Sequence, residues 1–174
     1  MIHTSPTPGD IGLARMDGSI GTLIRIGQWL NGDGFADYEH AFLALPDEQL
    51  IEADPSGTRI CPLSDYAHTR VLYVCPPDLT QQQRQAICTA ARHYIGMPYS
   101  FLDYAAIAAH RFHLPVPGLR SYIASTRHQI CSQLVDQCYQ DAGVRLFSDG
   151  RWPGYVTPMA LYDLLAKGQQ PTSD

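Results

Sequence analysis

The chain has 174 residues, enough for one domain that buries about two-thirds of the surface its unfolded form exposes. Apolar residues make up 45% of it, charged residues 17%, and the formal net charge of -5 argues against nucleic acid as the main partner. The densest basic stretch, with Arg111, Arg120 and Arg127, reads as a solvated face rather than a phosphate groove.

Residues 1–9 are polar and Pro-rich, with neither the positive n-region nor the apolar h-region of a signal peptide. Behind the Pro8-Gly9-Asp10 turn, residues 11–16 form a short apolar run that reads as a first strand. From Ser19 to Leu30 the apolar side chains Ile20, Leu23, Ile24, Ile26 and Leu30 recur at near-helical spacing, with Ser19 as N-cap. His40 to Leu45, the turn Pro46-Asp47-Glu48 and Gln49 to Ala53 make a β-hairpin pattern. Thr58 to Cys61 and Arg70 to Cys75 are two further strand candidates, the second stopped by Pro76-Pro77.

The second half is helical. Thr80 caps a helix predicted over residues 81–94, with Ala86, Ile87, Ala90 and Ala91 on its inner stripe, and Gly96-Met97-Pro98-Tyr99 ends it. Further helices are predicted over 101–112, over 130–142 with Gly143 at its C-terminal end, and over 158–165. The segment from Pro115 through Gly118 reads as a loop, and whether residues 115–126 form a lid stays open. Strands with one early helix come first and helices afterwards, which predicts an α+β domain over residues 1–167 with a disordered tail at 168–174.

The five cysteines are odd in number and form no CxxC pair, so neither a disulfide framework nor a zinc site is expected. Free thiols suit a reducing compartment, and no run of about 18 apolar residues occurs that could span a bilayer. The chain is therefore expected to be cytoplasmic as synthesised and without stable membrane insertion. His110 and His113 lie three apart with no carboxylate at ligand spacing, so no metal or other cofactor is expected. Trp29, Tyr38, Phe42, Tyr104 and Trp152 read as core or cleft wall rather than as a sugar-stacking platform.

Two residue types carry potential chemistry. Cys131 opens a predicted helix, where the macrodipole and a nearby imidazolium would hold a thiolate ready to attack a carbonyl; equally, it reads as a small buried hydrophobe. His40 opens an apolar strand, a fixed frame for an imidazole that needs a third group to set its tautomer. Glu52, on the partner strand, lies diagonally across from His40 on the same face if the turn pairs Phe42 with Glu52, and a one-residue slip would separate them. Glu52 also reads as an exposed strand carboxylate.

The segments around these residues resemble the NlpC/P60 family of papain-like cysteine hydrolases. His40-Ala-Phe-Leu-Ala-Leu45 and Leu50-Ile-Glu-Ala53 are similar to that family's histidine strand and the strand after it. Ile95-Gly-Met-Pro-Tyr99 and Ile130-Cys-Ser-Gln-Leu-Val135 are similar to its Gly-x-Pro-Tyr and Asp-Cys-Ser-Gly-Leu-Val segments. The cysteine segment follows the histidine segment here, which resembles the circularly permuted, YiiX-like branch. The resemblance implies Cys131 as nucleophile, His40 as base, Glu52 as the residue orienting the imidazole, and Tyr99 as an oxyanion donor beside the Cys131 N–H. It implies hydrolysis of an amide bond through an acyl-enzyme, with a cell-wall peptide or other small peptide as substrate and no cofactor; a lipid or acyl-amide substrate is the alternative within the same chemistry.

Departures from the family pattern limit what carries over. Gln133 stands where ordinary members have Gly, and Ala-Phe follows His40 where they have Val-Gly. The LRAT-like acyltransferase branch is disfavoured, because its Asn-Cys-Glu-His-Phe segment is missing and residues 163–174 are polar. A catalytically idle domain acting as a binding or structural module is the reading from a different class. A wall substrate would also require export by a holin or a specialised secretion system.

Overall fold

A computed structural model describes residues 2–3, 5–15, 38–98, 131–149 and 156–166. The helices expected over 19–30 and 101–112, Tyr99, the 115–126 segment, the 168–174 tail, Trp29, Tyr104, Trp152, His110 and His113 lie outside those residues. Among the described residues the fold is α+β. Six strands run as β1 (Ile2–His3), β2 (Ile11–Ala14), β3 (His40–Leu45), β4 (Gln49–Asp54), β5 (Gly57–Pro62) and β6 (Val71–Val74). They form one sheet in the order β1-β6-β2-β3-β4-β5, with every neighbouring pair antiparallel. The helices are α1 (Gln81–Arg92), α2 (Cys131–Asp141) and α3 (Pro158–Leu165), and a 3-10 turn spans Leu63–Tyr66.

The turn chemistry of the strands sets their register. Asp47 and Glu48 both adopt left-handed backbone, with φ of 61° and 53°, and close a tight loop that pairs Leu45 with Gln49. The ladder continues through Leu43 opposite Ile51, so the next pair in register is Phe42 with Glu52. In the following hairpin the Asp54 carboxylate accepts from the Ser56 N–H at 2.8 Å, a local turn that sets Glu52 directly opposite Arg59.

Alternation along the strands divides the apolar side chains between two clusters. Ile11, Leu13, Ala41, Leu43, Leu45, Ile51 and Ala53 join Ile87, Ala91, Leu134, Val135, Cys138 and Leu161 of the helices in the main core. On the other face Ala14, Phe42, Leu50 and Cys61 form a smaller cluster, flanked by Leu63, Tyr66, Val71 and Tyr73. Each fully buried large apolar side chain is worth about 1.5–3 kcal/mol of burial, so the helix-covered face dominates stability.

The helix ends follow from their sequences. Thr80 caps α1 through a reciprocal capping box with Gln83, as expected, but the helix stops at Arg92 and residues 93–96 turn. Cys88 is buried on its inner face, whereas Ala86 lies at the margin. α2 ends in a Schellman motif: Gly143 has φ +75°, its N–H reaches the Gln140 carbonyl at 2.9 Å, and the Val144 N–H reaches Tyr139 at 2.9 Å. α3 has Thr157 as N-cap and Pro158 in its first turn.

Two buried polar ties fasten the N-terminal segment to the helices. The Arg84 guanidinium donates to the fully buried Asp10 at 2.7 Å and to the Pro8 carbonyl at 3.0 Å, and the Tyr139 hydroxyl donates to the Gly9 carbonyl at 2.6 Å. Among the described residues, no helix is long and apolar enough to cross a membrane.

Candidate active site

Three of the four residues singled out from the sequence converge at one end of β3; the fourth, Tyr99, lies outside the described residues. His40 is the first residue of β3, paired across the sheet with Ala14. Its Nε2 lies 2.9 Å from Glu52 Oε2, so the register read from the Pro46–Glu48 turn holds and the two side chains share a face. Cys131 is the first residue of α2, and its side chain is hydrogen-bonded to His40. With Nε2 committed to Glu52, Nδ1 is the ring nitrogen left for the sulfur.

Packing fixes the position of the thiol. Helix α2 packs on β3, β4 and α1, and buries Leu134, Val135, Cys138 and Tyr139 in the main core. Its second residue, Ser132, is buried and donates from Oγ to the Val156 carbonyl at 2.7 Å, which ties the first turn of the helix to the residue before the α3 cap. Cys131 itself is fully buried at 0% exposure, as are His40 at 5% and Glu52 at 3%.

Glu52 is the hub of the site. Oε2 accepts from His40 and from the Tyr66 hydroxyl at 2.5 Å; Oε1 accepts from Arg59 Nη2 at 2.9 Å and from Cys61 Sγ at 3.4 Å. Arg59, half exposed, also reaches Asp54 at 2.9 Å. Such a buried carboxylate is costly to ionise in isolation, and four donors reverse the balance. Burial raises its pKa, but the bonds from His40 and Tyr66 outweigh burial and bring it down to about 2.

The imidazole answers to the same forces with opposite sign. Burial lowers the His40 pKa, yet the Cys131 sulfur and the Glu52 carboxylate more than compensate and raise it to about 10. An ionised Glu52 accepts, so Nε2 carries a proton and donates. Burial first, then the Glu52 charge and hydrogen bond, push the Cys61 thiol up to about 12 and the Tyr66 phenol far above its usual range, so both stay protonated donors at neutral pH. The arrangement can hold a thiolate against an imidazolium whose far side is fixed by a carboxylate, the pattern that activates a sulfur nucleophile.

Sequence reasoning passed over Tyr66, Arg59 and Cys61. Arg59 stands opposite Glu52 in the β4–β5 ladder, and Cys61 follows two residues later on the same face, so the Asp54-Pro55-Ser56-Gly57 turn carried the signal for both. Tyr66 has no such signal, since it sits in a 3-10 turn between strands. Phe42, expected as core or cleft wall, is fully buried in the smaller cluster and supports the site from below. Its ring lies across Gly12, its cross-strand partner: a Cβ on Gly12 would come within 2.2 Å of Phe42 Cζ. None of the five cysteines is in a disulfide. No protein-family model matches the chain, and no curated protein matches it significantly.

Proposed function

We propose that the protein is a cysteine hydrolase of the circularly permuted NlpC/P60, YiiX-like type, with a papain-like fold, that cleaves an amide bond. The observation that carries this reading is His40 held between the Cys131 sulfur and the Glu52 carboxylate in a buried site. In the proposed reaction the Cys131 thiolate forms a C–S bond to the carbonyl carbon, and the carbonyl electron pair moves to oxygen. The backbone N–H of Cys131, at the positive end of α2, and Tyr99 are the proposed oxyanion donors. Collapse breaks the C–N bond as His40 Nδ1 gives its proton to the leaving amine. Water then adds to the acyl-enzyme, giving a proton to His40; the C–S bond breaks, and the carboxylic acid leaves. The proposed substrate is a cell-wall peptide, with a lipid or other acyl-amide as the alternative.

The test is intact-protein mass spectrometry after brief iodoacetamide treatment at about pH 6, with the modified cysteine mapped by digestion. Rapid single labelling at Cys131 that is lost in His40→Ala is the expected result, and cell-wall peptides are then the first substrates to assay. A second reading rests on the complete burial of Cys131. A pair closed to solvent suits an idle domain that binds a partner, and labelling of Cys131 no faster than of Cys61 or Cys138, unaffected by His40→Ala, would favour it.

A further inference from the structure

We infer that Tyr66 is a positioning residue for the Cys131–His40 pair: its hydroxyl shares Glu52 Oε2 with the imidazole N–H, and its ring lies parallel to His40. This inference rests on the cysteine-hydrolase reading of the site. The phenol oxygen is 2.5 Å from Oε2, and the His40 and Tyr66 rings are only 3° from parallel, with centroids 6.1 Å apart. Tyr66 in turn leans on Phe42 at 4.7 Å, and Phe42 rests over Gly12. A stack of rings therefore runs from the sheet to the imidazole, and one oxygen atom joins two of its members.

The consequence is chemical as well as mechanical. A carboxylate that accepted only from His40 would compete for the imidazole proton; one that also accepts from a phenol is a weaker base and leaves the proton on Nε2. The groups facing Glu52 are His40 from β3, Arg59 and Cys61 from β5, and Tyr66 from the 3-10 turn. Beyond them stand Cys131 behind His40, Asp54 behind Arg59 and Asp65 near Cys61. Among these donors Tyr66 and His40 share the same oxygen, so removing the phenol acts on the His40 bond first.

The test compares wild type with Tyr66→Phe, which deletes one oxygen and keeps the ring on Phe42. The chain has three glutamates, Glu39, Glu48 and Glu52, so carboxyl-labelled glutamate gives three assignable carbon signals. Losing a donor to the ionised form raises the Glu52 midpoint by about one unit. The Glu52 charge is then shared by one donor fewer and bears more fully on the imidazole, so the His40 midpoint, followed by NMR of the labelled ring, also moves to higher pH. Site-specific 3-fluorotyrosine at position 66, a stronger donor of nearly the same shape, moves both midpoints to lower pH and carries little folding risk. Shifts of both midpoints in these directions are the expected result. Unmoved midpoints, or a loss of Cys131 alkylation rate without either shift, overturn the positioning role. If wild-type Cys131 is not preferentially labelled, the hydrolase reading fails, while the Glu52 titration still decides whether Tyr66 governs the carboxylate.

Discussion

Replacing Glu52 by Gln removes one charge with almost no change of shape, and the four bonds at this side chain set the cost. An amide has one oxygen and one NH2 group, so either the His40 and Tyr66 donors or the Arg59 and Cys61 donors must face an NH2. The cheaper orientation turns the NH2 toward Arg59, which is half exposed and can rehydrate, so the loss of that ion pair adds little. The His40 bond falls from charge-assisted to neutral at a cost of about 1–1.5 kcal/mol, and the buried Cys61 donor left without an acceptor adds about 1 kcal/mol. The sum is about 2–2.5 kcal/mol. With a urea dependence of about 2 kcal/mol/M, the unfolding midpoint falls by about 1–1.2 M. Glu52→Ala, which leaves no acceptor, loses about 3–5 kcal/mol. Because Glu52 is one of two supports for the raised His40 pKa, the imidazole of the Gln variant also titrates lower by NMR. A Gln variant with the wild-type urea midpoint and an unmoved His40 titration would refute the claim that an ionised Glu52 is shared by all four donors.

Gly12→Ala sets a methyl within 2.2 Å of the Phe42 ring; it is expected to destabilise the protein by about 1–3 kcal/mol in urea and to slow Cys131 alkylation, since the ring stack under His40 shifts. Arg84→Ala removes the guanidinium from the fully buried Asp10 and costs about 3 kcal/mol by the same measurement, with alkylation at Cys131 retained in the folded fraction. The pair His40 and Glu52 also predicts a pH window. His40 has its pKa raised from 6.5 to about 10, so its contribution is complete below about 6.5 and is lost as pH rises through 10; Glu52, lowered from 4.5 to about 2, contributes fully above about 4.5 and loses its share as pH falls toward 2. The difference in thermal midpoint between wild type and the double variant His40→Ala/Glu52→Gln should therefore be greatest between about pH 4.5 and 6.5, and a difference that grows from pH 6 to pH 9 contradicts the assignment.

What could be read from the chain depended on how local the determinants were. The β3–β4 register follows from a three-residue turn and two alternating strands, so His40 and Glu52 could be put on one face from the thirteen consecutive positions 40–52. The Thr80 and Gly143 helix ends were legible for the same reason, because capping chemistry is written in adjacent residues. The pairing of β6 with β2, which sets β6 between β1 and β2, joins segments far apart in sequence and has no local signature. Tyr66 was missed because nothing in a 3-10 turn constrains which way its side chain points until Phe42 offers a surface. Cys88 displaced Ala86 from the inner stripe of α1 because the buried arc is set by contact with β3 and α2, not by residue size.

The division of the site between two stretches of chain bears on how it comes into being. Imidazole, carboxylate and phenol all lie between residues 40 and 66, in successive hairpins that can close soon after they leave the ribosome. The sulfur is added much later, by a helix whose seat is the finished sheet. Until that helix docks, Cys131 has no imidazole beside it. On the proposed reading, a nascent or partly unfolded chain therefore carries an ordinary thiol, and the sulfur–imidazole pair exists only in a domain that has been completed.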